Sequence, residues 1–344
     1  MIHIEYLPMN YYDAIIIHFD GDDGSPHNII IDGGDYKSKR LCYIQELKPR
    51  LSEIFKNNEV IDLWIISHID DDHIGGLLNF VDDEIFFHEH ANKLKCVWMN
   101  HVGDGDYFVH KAGEIGVNRG ISLRDALIKN NISIISDITT GFNVNICGAG
   151  ITVIAPNHKA LDRLKKYWRS EEFKTVRSTS DGSIATKEKD YNILFKDFDI
   201  NSYTEDFDVK NNSSIAIVLS YNNHNFLFAA DSCSSLILEG LMTQGIISNN
   251  NGRFELMHVP HHGSCRNSSK ELFDHIDCTT YVITGNGQNR FQLPNKETIA
   301  RILASKSSQF DLYFSTKTCA LKTMFENEDT EQINIHYNAD FKYE

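Results

Sequence analysis

Ser67-His68-Ile69-Asp70-Asp71-Asp72-His73-Ile74-Gly75-Gly76 packs two histidines and three aspartates into six positions. The run before it, Ile61-Asp62-Leu63-Trp64-Ile65-Ile66, reads as a buried strand. The polar cluster therefore falls where that strand ends and the next turn begins. Holding that many partly desolvated charges together costs several kcal/mol per ion unless a cation or hydrogen bonds compensate. Imidazole and carboxylate donors gathered at one strand end can converge on a metal ion. A solvated acidic turn is the plainer alternative, and the second half of the chain argues against it by supplying matching pieces.

Composition sets outer limits. The chain of 344 residues, 41% hydrophobic and 24% charged, is long enough for one large domain or two medium ones. Apolar runs such as Ala14-Ile15-Ile16-Ile17 and Phe226-Leu227-Phe228-Ala229-Ala230 are strand-length. They fall far short of the ~20 residues a membrane span needs, so no membrane association is expected. The segment Met1-Ile2-His3-Ile4-Glu5-Tyr6 carries no basic stretch followed by an apolar one. Seven scattered cysteines, none in a CxxC pair, suit reduced thiols in a cytoplasmic protein. A net charge of −15 weighs against a general affinity for polyanions, although a metal-lined cleft can be locally positive.

Strand signals recur at Ile2 to Leu7, Ala14 to Phe19 and Asn28 to Ile31, the last running into Asp32-Gly33-Gly34-Asp35. Tyr43 to Phe55 and Ser122 to Lys129 have helical spacing, and Gly75-Gly76-Leu77-Leu78 looks like a helix start. Lys95 to Met99 reads as a short strand delivering Asn100-His101 to a loop, and Ile151 to Ala155 as a strand stopped by Pro156. Residues 160–210 begin as a charged helix and become polar, which predicts an insertion between two halves of one domain, about 1–158 and 211–344. Later strands, Asn225 to Ala230 and Phe254 to Val259, end in Asp231 and in Pro260-His261-His262-Gly263-Ser264.

The candidate metal ligands are thus His68, Asp70, Asp72, His73 and Asp231, with His261 or His262. Such a donor set suits zinc, manganese or iron better than calcium. A bridging carboxylate such as Asp231 can hold two divalent ions about 3.5–4 Å apart. No GxSxG or phosphate-binding glycine loop offers a competing chemistry.

Here a resemblance enters. Ser67 to Gly76 is similar to the HxHxDHxGG motif of the metallo-β-lactamase superfamily, in the HxDxDHxGG variant seen in the hydrolase domain of the ComEC DNA-uptake family. Asp13 to Ile17 with Ile31-Asp32-Gly33-Gly34, Asn211 to Leu219, Phe228 to Asp231 and Val259 to Ser264 resemble further family motifs, in the family's order. The resemblance implies an α/β fold, a four-layer αββα sandwich with a dinuclear metal cleft (two zinc or manganese ions) along one edge. It assigns His68 and Asp70 to one metal, Asp72 and His73 to the other, Asp231 as bridge and His261 as the late ligand. His262 would stand behind it or touch substrate, and Asp72 and His262 are the candidate catalytic groups. Asp32 is expected to orient a ligand histidine from behind, and His101 is a loose candidate for a mid-chain ligand. Asp71 should point away, and His258 should be a core residue. Ser264, Asn286, Asn289 and Arg290 are candidates for contacting a substrate phosphate, with turn chemistry as the competing reading for Asn286 and Asn289.

Two departures stand out: Met9-Asn10-Tyr11-Tyr12 replaces a glycine-rich approach to Asp13, and Gln292-Leu293-Pro294 stands where a late histidine is common in the family. The leading functional expectation is a metal-dependent phosphodiesterase or nuclease acting on nucleic acid or a nucleotide. The alternatives are hydrolysis of a small ester, lactone or β-lactam, and a catalytically weak effector or sensor subunit with a protein partner in a bacterial, for instance antiviral, system.

Overall fold

The computed structural model describes residues 1–9, 12–36, 41–103, 115–172, 190–247, 252–288 and 292–344. The first half begins with β1 (Ile2–Tyr6), β2 (Ala14–Asp20) and β3 (Pro26–Asp32). A short π-helical turn at Tyr43–Leu47 then leads into α1 (Lys48–Lys56). Next come β4 (Leu63–Ile65), α2 (Asp71–Asp82), α3 (Glu84–His90) and β5 (Cys96–Trp98). After α4 (Ile115–Lys129) and β6 (Ser133–Ile135) the chain crosses to a second sheet through β7 (Asn143–Ile146) and β8 (Ala149–Ala155), then forms α5 (His158–Glu172).

The second half comprises β9 (Ala216–Tyr221), β10 (His224–Phe228), α6 (Ser234–Thr243), β11 (Gly252–Phe254) and β12 (Leu256–His258). Then follow α7 (Lys270–Asp274), β13 (Ile276–Cys278), β14 (Thr280–Ile283), α8 (Lys296–Ser305) and β15 (Phe310–Phe314). Last come α9 (Cys319–Thr323), β16 (Ile333–Tyr337) and β17 (Asp340–Tyr343). The first sheet runs β17-β1-β2-β3-β4-β5-β6 and the second β16-β15-β14-β12-β10-β9-β8-β7, with β11 and β13 forming a separate pair.

The continuous apolar runs are explained by burial of both sheet faces. In β2, Ile15, Ile17 and Phe19 face the opposing sheet, while Ala14 and Ile16 face helices. In β4, Leu63 and Ile65 face inward between the sheets and Trp64 faces α2 and its neighbours. β9 repeats the pattern: Ile217 and Leu219 point to the inter-sheet core, Ala216 and Val218 to the outer helices of the second half. Three apolar layers therefore separate four structural layers, which is the expected αββα sandwich. Each fully buried large side chain contributes about 1.5–3 kcal/mol by leaving water.

The stretch expected to be an insertion opens with α5, whose Leu161, Leu164 and Trp168 are buried in the first half's helical layer. Its polar middle, 173–189, lies outside the described residues. Asp190–Asn192 and Phe195–Asp197 return as single turns, with Tyr191 and Phe195 in the second half's outer core. One strand expectation is refined: Phe254 to Val259 is divided between β11 and β12.

Candidate metal centre

Strand ends of both sheets deliver polar side chains to one edge of the sandwich. Asp13 precedes β2, Asp32 ends β3, and Ser67 and His68 follow β4. Asp70 is the N-cap residue of α2, which places Asp72 and His73 in the first helical turn. From the second half, Asp231 follows β10 and the His261-His262 turn follows β12. Non-glycine residues with positive φ collect here: Asp32 (57°), Ala230 (45°), His261 (49°) and His262 (52°). Such backbone costs free energy at each position and persists where the surroundings fix it.

Asp231 is the centre of the group. Its carboxylate lies 3.4 Å from His73 Nε2, 3.4 Å from His261 Nε2, 3.8 Å from His68 Nε2 and 4.0 Å from His262 Nε2. Asp72 Oδ2 is 3.3 Å from His262 Nε2, and its Oδ1 is 4.0 Å from His73 Nε2. Every one of these rings is held from behind through Nδ1. His73 Nδ1 is 2.8 Å from Asp32, whose other contacts are Ser67 Oγ at 2.7 Å and Ser67 N at 2.8 Å. His262 Nδ1 meets Thr284 Oγ1 at 2.9 Å and Asp13 Oδ1 at 3.2 Å. His261 Nδ1 meets Asn267 Oδ1 at 3.0 Å, and His68 Nδ1 meets Ser67 Oγ at 3.1 Å. A carboxylate or amide oxygen at Nδ1 fixes the proton there and leaves Nε2 free to donate its lone pair.

The site residues fit a divalent ion on this observation. The Nε2 atoms of His68, His73 and His262 and Oδ1 of Asp231 are buried and make no hydrogen bond. Donor atoms of His68, His73 and Asp231 lie within 4.8 Å of one another, as do those of Asp72, His73 and His262. A native protein seldom leaves such groups unpartnered. A cation at Nε2 would satisfy them.

The charge state follows from burial and from the carboxylates. Burial, with His73 beside it, takes His68 down to about 3, so it stands neutral. Burial also opposes protonation of His262 and His73, but the carboxylates win. Asp13 and Asp231 carry His262 up to about 10, and Asp231, Asp32 and Asp72 hold His73 well above its usual value. Without a metal His262 is therefore protonated at neutral pH and His73 is held towards its protonated form, so metal uptake competes with protons at these rings. Raising the pH removes that competition. Affinity for zinc or manganese is expected to rise with pH from 6 to 9, by about tenfold per unit for each displaced proton. Calorimetric titrations in buffers of differing ionisation enthalpy would read up to about two protons released per chain; a pH-independent affinity with no proton release would refute it.

The structure brings together most of the expected residues and redistributes some roles. His262, rather than His261, joins Asp72 and His73; the turn's left-handed backbone swings the second ring inward and leaves His261 partly exposed on the Asp231 side. Asp70 stands apart from the convergent groups. Its Oδ2 is 3.8 Å from His68 Nε2, and its Oδ1 is 2.6 Å from Lys210 Nζ. Burial nevertheless pushes the Asp70 carboxyl up to about 6. Asp71 points away, as expected, but into an ion pair with Arg119 of α4 rather than into water.

Asp13 has a part in the site that its sequence context hid. It is buried between His258 (3.5 Å) and His262, and those rings with His73 hold its carboxyl well below the usual range against the burial that would raise it. His101 joins none of the convergent groups; it lines a cleft with Ser136, Lys165 and Arg169. Ser264 and Asn286 accept from backbone N–H groups in their own turns, of Arg266 and Gln288. Asn289 and Arg290 lie outside the described residues. Leu293, where a late histidine is common, is buried.

Comparison with known proteins gives the following similarities. The metallo-beta-lactamase superfamily profile matches residues 23–175. Among solved structures, the metallo-beta-lactamase fold protein YhfI from Bacillus subtilis aligns at 10% identity and a TM-score of 0.39, over 99% of this chain and 98% of its own. A diphosphatase of the PhnP family aligns at 10% identity and 0.39, over 100% and 98%. A long form of RNase Z from yeast aligns at 12% and 0.41, over 99% of this chain and 41% of the enzyme. No curated protein matches the chain. Among the described residues, no helix is long and apolar enough to cross a membrane.

Proposed function

We propose that this chain is a metal-dependent hydrolase acting on phosphodiesters, a nuclease or nucleotide phosphodiesterase resembling the ComEC-type hydrolase domain. The observation that carries it is the set of imidazoles anchored at Nδ1 and presenting Nε2 around Asp231 and Asp72. Zinc or manganese held by His68, His73, His262, Asp72 and Asp231 would supply Lewis acidity and a water acidic enough to ionise near neutral pH. Asp13 and Asp32 hold the rings against rotation. Asp72, whose side chain is 27% exposed, is the carboxylate placed to accept a hydrogen bond from an incoming water. Lys210, beside Asp70, offers a fixed cation to an anionic phosphate oxygen, which favours a phosphoester over a neutral ester or lactam. A cytoplasmic setting, and a protein partner that supplies basic surface to a chain of net charge −15, complete the reading.

The buried Leu293 favours a second reading, a catalytically weak metal-binding effector. Cleavage of bis(p-nitrophenyl) phosphate, single-stranded DNA and RNA with zinc or manganese separates the two. Turnover is expected, and it should be lost in His68→Ala. Hydrolysis of lactams or lactones alone would replace the substrate class. Metal binding without turnover on any substrate would favour the effector.

A further inference from the structure

At the other end of β3 from Asp32, about 17 Å away at strand rise, lies a second group of metal-type donors. His27, at the start of β3, places Nε2 3.1 Å from Asp23 Oδ1 in the β2–β3 turn. Cys147, in the β7–β8 turn of the opposing sheet, places Sγ 3.7 Å from Asp23 Oδ2. Donor atoms of all three lie within 4.8 Å of one another. His27 is 93% buried by its 7% relative exposure and has Nδ1 against Asp62 Oδ2 at 3.1 Å. Asp62 also accepts from Asn28 N at 3.1 Å, so it is fixed in turn. This is the same arrangement as at the main centre: a carboxylate behind the ring and Nε2 directed at a second donor.

The turn is built around the group. A Cβ on Gly21 would come 2.5 Å from His27 Cδ2 and 2.6 Å from Asp23 Oδ1, so only glycine lets the imidazole and carboxylate close together. Asp22 N donates to Cys147 O at 2.9 Å, which holds the two turns in register.

We propose that Asp23, His27 and Cys147 form a separate site for a thiophilic divalent ion, zinc by preference, clipping the two sheets together at the end remote from the main centre. Imidazole, carboxylate and thiolate make a zinc-type set, and the exposed side leaves a fourth position to water. On binding, the thiol proton and the proton between His27 Nε2 and Asp23 pass to solvent, and sulfur and Nε2 form the metal bonds.

Cobalt(II) tests this in the full chain, because the convergent groups of the main centre contain histidine and aspartate and no cysteine among the described residues. After chelator treatment, cobalt should produce a near-ultraviolet thiolate-to-cobalt charge-transfer band that saturates at one ion per chain. Cys147→Ser, in a half-buried turn, should abolish that band and keep the visible absorption of cobalt bound at the main centre. His27→Gln should weaken the band's cobalt affinity at least tenfold. No charge-transfer band in the wild-type chain, or an unchanged band in Cys147→Ser, would overturn the site. Neither result bears on phosphodiesterase activity.

Discussion

Asp231→Asn is expected to abolish tight metal binding and, with it, hydrolysis. The substitution keeps the volume and removes the charge on which His68, His73, His261 and His262 all converge within 4.0 Å. Losing an orienting partner behind a ligand costs about 10–100-fold in metal affinity. Loss of the central carboxylate should exceed that and take both halves of the site together. In the metal-free chain the same change leaves buried, protonated His73 and His262 with fewer counter-charges. Breaking a buried pair in this way costs roughly 3–5 kcal/mol. Elemental analysis for metal content and chemical denaturation of the apo protein check the two effects. A variant that kept its metal and lost less than about 1 kcal/mol would remove Asp231 from the centre.

Gly76→Ala should be nearly as damaging, for a steric reason. A Cβ there would lie 2.2 Å from Gly33 O and 2.5 Å from Gly33 Cα, backbone atoms that cannot step aside. Gly75 is equally confined, 2.2 Å from the Asp35 carbonyl carbon. These glycines let α2 rest directly on the exit of β3, which brings His73 to Asp32. Overpacking commonly costs 1–3 kcal/mol, and rigid backbone on the far side puts this case at about 3 kcal/mol or beyond. The urea midpoint should fall with an unchanged slope, and metal affinity should fall because Asp32 and His73 separate. A loss below about 1 kcal/mol would show that helix and loop can part freely.

The first-half candidate ligands were legible in the sequence because they are local: a strand, a turn and a helix start place His68, Asp72 and His73 within six residues. Asp32 and Asp231 could be read as strand-end carboxylates. What stayed hidden depends on contacts between distant segments. Asp13 follows Met9-Asn10-Tyr11-Tyr12 and carries no local mark of its contact with His262, 249 positions later. The choice between His261 and His262 rests on two consecutive residues in left-handed backbone, which spacing does not encode. Lys210 reaches Asp70 from the end of a segment that reads as an insertion. Likewise the short strands β15, β16 and β17 take their places from the sheet beside them rather than from their own patterns.

Strand β1 pairs with β2 on one side and with β17 on the other, Ile2 opposite Tyr343. The order of synthesis therefore matters. Until residues 340–343 emerge, β1 presents an open row of backbone donors and acceptors, although its other neighbour is made early. Closing that edge joins Ile2 to Tyr343, and contacts of such long sequence separation are among the slowest kind to form. A nascent chain that has completed every candidate metal ligand still has an unfinished sheet. A chaperone or a second nascent copy would meet it at β1, so interruption near residue 339 should yield aggregates rather than a soluble, metal-binding fragment.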